Sequence, residues 1–134
     1  VLGRLESAKD QLRTAPLSAS SGTYRATRDL IFALLSTDVL AQLLVHLNAL
    51  EFEARKDAMH VFAAVLQLAA PVGLKAHIVR HLEERPWVAG MLLEGSCKSD
   101  ISLHCGHMLR ACSLYPELVE LFLEERMALR LVDL

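Results

Sequence analysis

Apolar residues recur along this chain at steps of three and four, the spacing that places side chains on one face of an α-helix. The clearest example runs from Ser99 to Pro116. Ser99 can cap the helix, Asp100 suits the positive end of its dipole, and Pro116 ends it because proline lacks an N–H. Gly106 in mid-helix costs about 1 kcal/mol relative to Ala, so we expect a second element to pack closely against it. The predicted buried stripe is Ile101, Cys105, Met108, Leu109 and Cys112.

The same spacing predicts helices along most of the chain, separated by segments rich in Pro, Gly and Ser. Residues 1–14 form a short amphipathic pattern, and residues 15–22 are predicted to be a flexible loop. Pro71 and Gly73 mark one helix end, and Gly95 is predicted as the residue just after another. No alternating run predicts a strand, so the expected fold class is all-α. The other predicted helices cover 23–35, 39–47, 54–69, 74–84, 87–94, 116–125 and 127–134.

Two of these helices repeat each other at a constant offset of 43 residues. An offset of this size falls in the range of roughly 40–47 residues that is typical of armadillo and HEAT repeats. We therefore predict one domain over residues 1–134, built as an armadillo/HEAT-like right-handed helical-repeat solenoid. The alternative is an ordinary helical bundle whose amphipathic helices look alike. The matching positions are Ala58, Val61, Phe62, Val65, Leu66 and Ala69 with Ile101, His104, Cys105, Met108, Leu109 and Cys112; a looser match at an offset of 49 joins Val39, Leu43 and Leu44 to Val88, Leu92 and Leu93.

Composition narrows the functional classes. The 134 residues are 53% hydrophobic and only 5% aromatic, which suits helix packing on helix. A formal net charge of −2 offers no basic surplus for a nucleic-acid backbone. No apolar window is long enough for a membrane span. The three cysteines are an odd number, which fits reduced thiols better than a set of disulfides, so we expect a cytoplasmic protein. The chain begins with Val, and we expect a processed chain or a piece of a longer protein.

Three stretches of the sequence resemble one protein family. They are Asp38–Asp57, Met91–Gly95, and the run Ile101-x-Leu103-x-Cys105-Gly106-x-Met108-Leu109-Arg110. Their order and spacing are similar to those of the N-terminal part of the Mo-twenty-five, or calcium-binding-protein-thirty-nine, family. The resemblance implies a horseshoe of armadillo-like repeats without catalytic activity, cofactor or metal. It also implies a scaffold that binds a pseudokinase adaptor and related protein kinases and holds them in an active-like conformation.

The sequence also departs from the family pattern. Family members continue for several more repeats, and the pocket for the adaptor's C-terminal peptide belongs to that later part. A basic pair of the family is replaced here by Leu68-Ala69-Ala70, followed by the less polar loop Pro71-Val72-Gly73. Despite the family name, no Asp-x-Asp-x-Asp-Gly loop of an EF-hand is present.

Candidate catalytic and metal-binding residues each have a simpler interpretation. His77 and His81 lie four residues apart, but no Glu lies between them as in zinc proteases. Cys97 beside Lys98 could form a thiolate, although an ordinary exposed thiol is the simpler prediction. His104, Cys105, His107 and Cys112 do not share one helical face, and buried cysteines usually serve as small hydrophobic residues. The paired carboxylates of Glu83-Glu84-Arg85 and Glu124-Glu125-Arg126 are predicted to be solvated helix ends rather than acid–base catalysts. We predict no enzyme.

Partner binding is predicted on a polar ridge of the 54–69 helix. Steps of four, three and four residues carry Lys56, His60 and Gln67 along one face. The 43-residue offset places Arg110 at the position of Gln67 and Gly106 at that of Ala63. The alternative is a solvated face without a partner, partly covered near Leu103 and Gly106. The predicted partner-binding residues are Glu53, Arg55, Lys56, His60, Gln67 and Arg110, with Glu53 and Arg55 at the rim.

A second function remains open from the sequence: a stand-alone helical-repeat domain that oligomerises and has no kinase partner. A stack of repeats leaves the apolar face of its last unit bare unless something covers it. The chain ends in such residues, and we expect a C-terminal face that promotes self-association. They are Met127, Leu129, Leu131, Val132 and Leu134.

Overall fold

The computed structural model describes residues 22–98 and 100–132, with side chains as far as residue 127. Within these residues every regular element is helical, and none of the helices is long and apolar enough to cross a bilayer. The predicted 1–14 helix and nearly all of the predicted 15–22 loop lie outside the described residues. The elements are α1 (Gly22–Leu35), α2 (Val39–Val45), a short 3-10 helix (Leu47–Ala49), α3 (Phe52–Ala69), α4 (Lys75–Glu83), α5 (Pro86–Gly95), α6 (Ser102–Cys112) and α7 (Pro116–Val132).

Helices pack on the helices that occupy the same place in the next unit of the chain. α1 packs on α4, α2 on α5 and α3 on α6, and α4 packs in turn on α7. The contact between α3 and α6 is the most extensive of all. Such stacking of equivalent elements is the arrangement of a helical-repeat protein. The predicted all-α repeat fold is confirmed, with α1–α3 and α4–α6 as successive repeats and α7 packed on α4 as α4 is packed on α1.

The core follows the repeated apolar stripe. Every residue of the α3 stripe is buried, and so are its α6 counterparts, with one exception: Leu66 is 1% exposed whereas Leu109 is only half-buried. Leu109 lies beside α7 at the edge of the second repeat, where fewer helices cover it. Cys105 and Cys112 are buried as predicted, and Cys97 is exposed.

After α5, the helices differ from the sequence-based expectation in two ways. α6 begins at Ser102 with Ile101 as its N-cap, later than predicted, and the predicted cap Ser99 lies outside the described residues. The preceding chain instead forms tight turns, in which the Lys98 N–H donates to the Gly95 carbonyl and the Ile101 N–H donates to the Lys98 carbonyl. The segments predicted as two helices after Pro116 form the single helix α7.

Two glycines end helices in different ways. Gly73 has a positive φ of 78°, the left-handed conformation that ends a helix, and the Leu74 N–H donates to the Ala69 carbonyl at 2.7 Å. Gly95 was expected just after its helix but is the last helical residue of α5. A Cβ at Gly95 would collide with Cys105 Sγ and lie 3.1 Å from Ile101 Cδ1, so this glycine allows α5 and α6 to approach each other.

Polar contacts join the first repeat to the second. The His81 Nδ1–H of α4 donates to the Leu35 carbonyl at 3.0 Å, at the C-terminal end of α1. Arg85 follows α4 and forms an ion pair with Asp38, N–O 2.7 Å, just before α2. Arg85 is therefore part of a contact between repeats, whereas the sequence suggested a solvated helix end. The Tyr115 hydroxyl donates to the Leu66 carbonyl and ties the start of α7 to α3.

Candidate functional site

The solvent-facing sides of α3 and α6 form one continuous surface, because the two helices lie side by side. The rings of His60 and His107 meet edge to face across the boundary, with centroids 6.5 Å apart. We call this surface the α3–α6 ridge. It comprises Glu53, Lys56, His60 and Gln67 of α3 and Leu103, Gly106, His107 and Arg110 of α6.

Most of the predicted partner-binding residues are available to a partner on this ridge. Glu53, Lys56, Gln67 and Arg110 are exposed, and His60 is half-buried against His107. Lys56 and Arg110 form no ion pair with any residue that the structure describes. Two cations on one surface are therefore free to attract an acidic partner.

Arg55 differs from the other predicted residues because its guanidinium group is engaged inside the molecule. Its Nε donates to the carbonyls of Leu47 and Leu50, at 3.1 and 2.9 Å, and its Nη2 donates to the Asn48 carbonyl at 2.9 Å. Its Nη1 lies 3.5 Å from the Asp100 carbonyl of the second repeat. Charge-assisted bonds to carbonyls stabilise irregular backbone that has no helix to satisfy it. Arg55 thus holds the segment before α3 in place and reaches the turn before α6.

His104 lies beneath the ridge rather than on it. Only 7% of its surface is exposed, and its ring meets Phe52 edge to face with centroids 5.7 Å apart. Burial and, to a smaller extent, the nearby Arg55 guanidinium lower the pKa of His104. A neutral imidazole is therefore favoured, and the ring serves as packing between α3 and α6.

The cysteines of α6 have the character of core residues. Burial raises the pKa of Cys112 to about 12 and also raises that of Cys105, so both thiols stay protonated near neutral pH. A protonated thiol is a poor nucleophile and a poor metal ligand. Among the described residues no three His, Cys, Asp or Glu side chains come together as a metal site would require.

The expectation that Gly106 is covered by a neighbouring helix is wrong. A Cβ added at this position would meet no atom within 4 Å, apart from its chain neighbours and its own helix backbone. Leu103 is 83% exposed, so this part of the ridge is open. The error came from Ala63, the α3 counterpart of Gly106, which is indeed buried. The sequence did contain an indication that Leu103 is on the surface, because the 43-residue offset places it at the position of His60, which lies on the ridge.

Comparison with known proteins agrees with this architecture. The sequence model of the Mo25-like family matches residues 5–133. The chain is 31% identical over 98 residues to calcium-binding protein 39-like of Mus musculus, covering 73% of this chain and 28% of that protein. It is 35% identical over 88 residues to MO25-like protein 2 of Caenorhabditis elegans, covering 66% and 25% of the two chains. Conidiophore development protein hymA of Emericella nidulans is 34% identical over 103 residues.

The matched region is a limited part of these relatives. The chain spans only about a quarter of the length of the curated relatives that it matches. No solved structure gives a significant match. The family match nevertheless covers nearly all of this chain and agrees with its stacked helices. The chain therefore belongs to the Mo25-like family, whose members are non-catalytic helical-repeat scaffold proteins.

Proposed function

We propose that this protein is a scaffold that binds a protein kinase or pseudokinase through the α3–α6 ridge and allosterically favours the active kinase conformation. The observation that carries the proposal is the ridge itself, an open surface whose cations Lys56 and Arg110 form no ion pair within the described part of the chain. The family match is the second support. The ridge is formed by the two most extensively packed helices, so its side chains stand on a rigid support. A scaffold needs such a preformed surface, because little binding free energy is then lost in ordering it.

The three free cysteines favour a reducing compartment, and we propose that the protein acts in the cytoplasm. Lys56 and Arg110 are expected to accelerate encounter with an acidic kinase surface more than they strengthen the final complex. Arg55 is expected to contribute indirectly, since it fixes the backbone before α3.

The test is binding of the purified protein to a panel of immobilised kinase and pseudokinase domains, followed by an activity assay of each kinase that binds. The double substitution Lys56→Glu and Arg110→Glu should slow association about tenfold at low ionic strength and much less at high salt. Arg55 is left intact, because its replacement would disturb the loop and obscure the result.

A matched control carries the same change of charge elsewhere. Lys75→Glu and Arg80→Glu alter two exposed cations of α4, whose ion pairs with Glu117 and Glu84 are on the surface and contribute little. The control should bind like the parent protein. Absence of any kinase binder would refute the function, whereas equal binding by both double variants would refute only the ridge as its site.

A second function, self-association without a kinase partner, is supported by one observation. An apolar groove of about 220 Å³ lies where α7 meets α5 and α6, and its lining residue Leu123 is 55% exposed. Sedimentation velocity across a concentration series tests this function. A dimer that Leu123→Glu abolishes, and that Leu114→Glu on an exposed site outside the groove leaves intact, would support it; a monomer at all concentrations would refute it.

A further inference from the structure

Within the described residues, no contact and no backbone angle explains why position 106 is a glycine. Gly106 lies in the middle of α6, its φ is not positive, and a Cβ there would meet open space. Neither backbone conformation nor packing therefore requires a glycine. The missing side chain leaves a notch on the α3–α6 ridge in which the helix backbone is accessible. A position of this kind permits close approach of another molecule.

The walls of the notch have different chemistry. Leu103 lies three residues before Gly106 and Arg110 four residues after it, so all three share one face of α6. Leu103 and Arg110 are two helical turns apart, about 10 Å along the axis. Leu103 is 83% exposed, the largest value among the large apolar side chains described, and Arg110 has no ion-pair partner among those residues. An apolar wall, a gap and a cation thus follow one another along the helix.

We propose that the notch at Gly106 docks an acidic segment of a partner protein, with one large apolar side chain of that segment in the notch against Leu103 and a carboxylate paired with Arg110. The proposal rests on the proposed scaffold function and adds the chemistry of the segment that is recognised. Charge complementarity argues for an acidic occupant, because Lys56 and Arg110 both belong to the ridge and form no ion pair with the residues that the structure describes. The direction follows from α6 alone: Asp100 is exposed just before its first residue and Arg110 is exposed near its last, so the acidic end of the segment should lie toward Arg110.

A random dodecapeptide library displayed on phage tests this proposal without any kinase. Peptides selected on the parent protein should be rich in Asp and Glu and contain one large apolar residue. Their affinity should fall by at least about tenfold on Gly106→Leu, which fills the notch, and on Arg110→Glu, which reverses the charge. Arg80→Glu, an equal charge reversal on exposed α4, should change it by less than about twofold.

Thermal denaturation checks separately that the variants fold. It also distinguishes a role of Gly106 in binding from a role in folding. Gly106→Ala should melt at or above the parent temperature, because the added methyl group meets open space, yet it should weaken peptide binding. A purely structural glycine would not raise stability and lower binding in the same variant.

Three outcomes would overturn the proposal: no peptide selected, selected peptides without acidic enrichment, or full affinity in Gly106→Leu. Self-association of the parent protein that Gly106→Leu abolishes, with no peptide selected, would instead assign the notch to a second copy of the chain. The kinase panel gives an independent answer. If acidic peptides bind but no kinase does, the kinase function is refuted and docking at the notch is supported. If a kinase binds Gly106→Leu as tightly as the parent protein, only docking at the notch is refuted.

Discussion

Replacement of Gly95 by Ala should destabilise the fold by overpacking the contact between α5 and α6. The new methyl group would collide with Cys105 Sγ and lie 3.1 Å from Ile101 Cδ1 and 3.4 Å from Cys105 Cβ. Both neighbours are core residues, with 2% of Cys105 and 5% of Ile101 exposed. Overpacking of a dense core costs about 1–3 kcal/mol.

Helix propensity opposes this cost. Ala is favoured over Gly by up to about 1 kcal/mol in a helix interior and by less at the last residue, where Gly95 lies. The expected net loss in free energy of unfolding is therefore about 1–2 kcal/mol. For a chain of 134 residues this loss corresponds to a melting temperature lower by about 3–8 °C. Urea denaturation followed by far-UV circular dichroism measures the loss in free energy of unfolding.

Two further variants identify the cause. Gly90→Ala makes the same change in the same helix, but its methyl group meets no atom within 4 Å, so it should stabilise slightly. Cys105→Ala removes the sulfur that the Gly95 methyl group meets, and in that background Gly95→Ala should cost at least about 1 kcal/mol less. Equal costs of Gly95→Ala in both backgrounds would refute the proposed collision.

Three other variants address single residues. Gly106→Ala should raise the free energy of unfolding by up to about 1 kcal/mol in urea denaturation, since helix propensity improves and nothing is displaced; a loss would mean that the site is packed after all. Arg55→Met should cost about 2–3 kcal/mol, because the carbonyls of the segment before α3 lose charge-assisted bonds, and unchanged hydrogen exchange at residues 47–50 would contradict this role. Burial and Arg85 lower the pKa of His81 below 6.5, so the unfolded chain binds the proton more readily and stability should fall as pH drops from about 7 through 6.5 and below. His81→Gln should reduce that pH dependence, and an unaltered profile would exclude His81 as its source.

The repeat architecture could be predicted because it depends on buried apolar periodicity, which the sequence displays directly. The constant offset between the α3 and α6 stripes identified the two helices that stack most extensively. Helix boundaries were less predictable where the chain turns between helices. Ser99 has the side chain of a good cap, but backbone-bonded turns follow Gly95 and α6 begins only at Ser102.

The sequence predicted which residues of the α3–α6 ridge are exposed, but it did not predict the contacts that they form. Exposure of Lys56, Gln67 and Arg110 follows from helical geometry, and the structure agrees. Arg55 has the same sequence character as Lys56, yet its guanidinium binds carbonyls of a segment five to eight residues earlier. No helical periodicity encodes such a contact, because it depends on how the loop folds back beside α3.

The chain needs Gly73 and Gly95 for its fold, whereas we propose that it uses Gly106 for binding. Gly73 is required by its positive φ and Gly95 by the close approach of α6, so either substitution acts through folding. Within the described residues Gly106 has neither requirement, although a glycine destabilises a helix, and its neighbours Leu103 and Arg110 are both exposed. In the proposed docking mode this loss of stability is offset by partner binding, because a better helix former would be tolerated at an exposed position without such a role. Stability and partner binding should therefore change in the same direction at Gly95 and in opposite directions at Gly106.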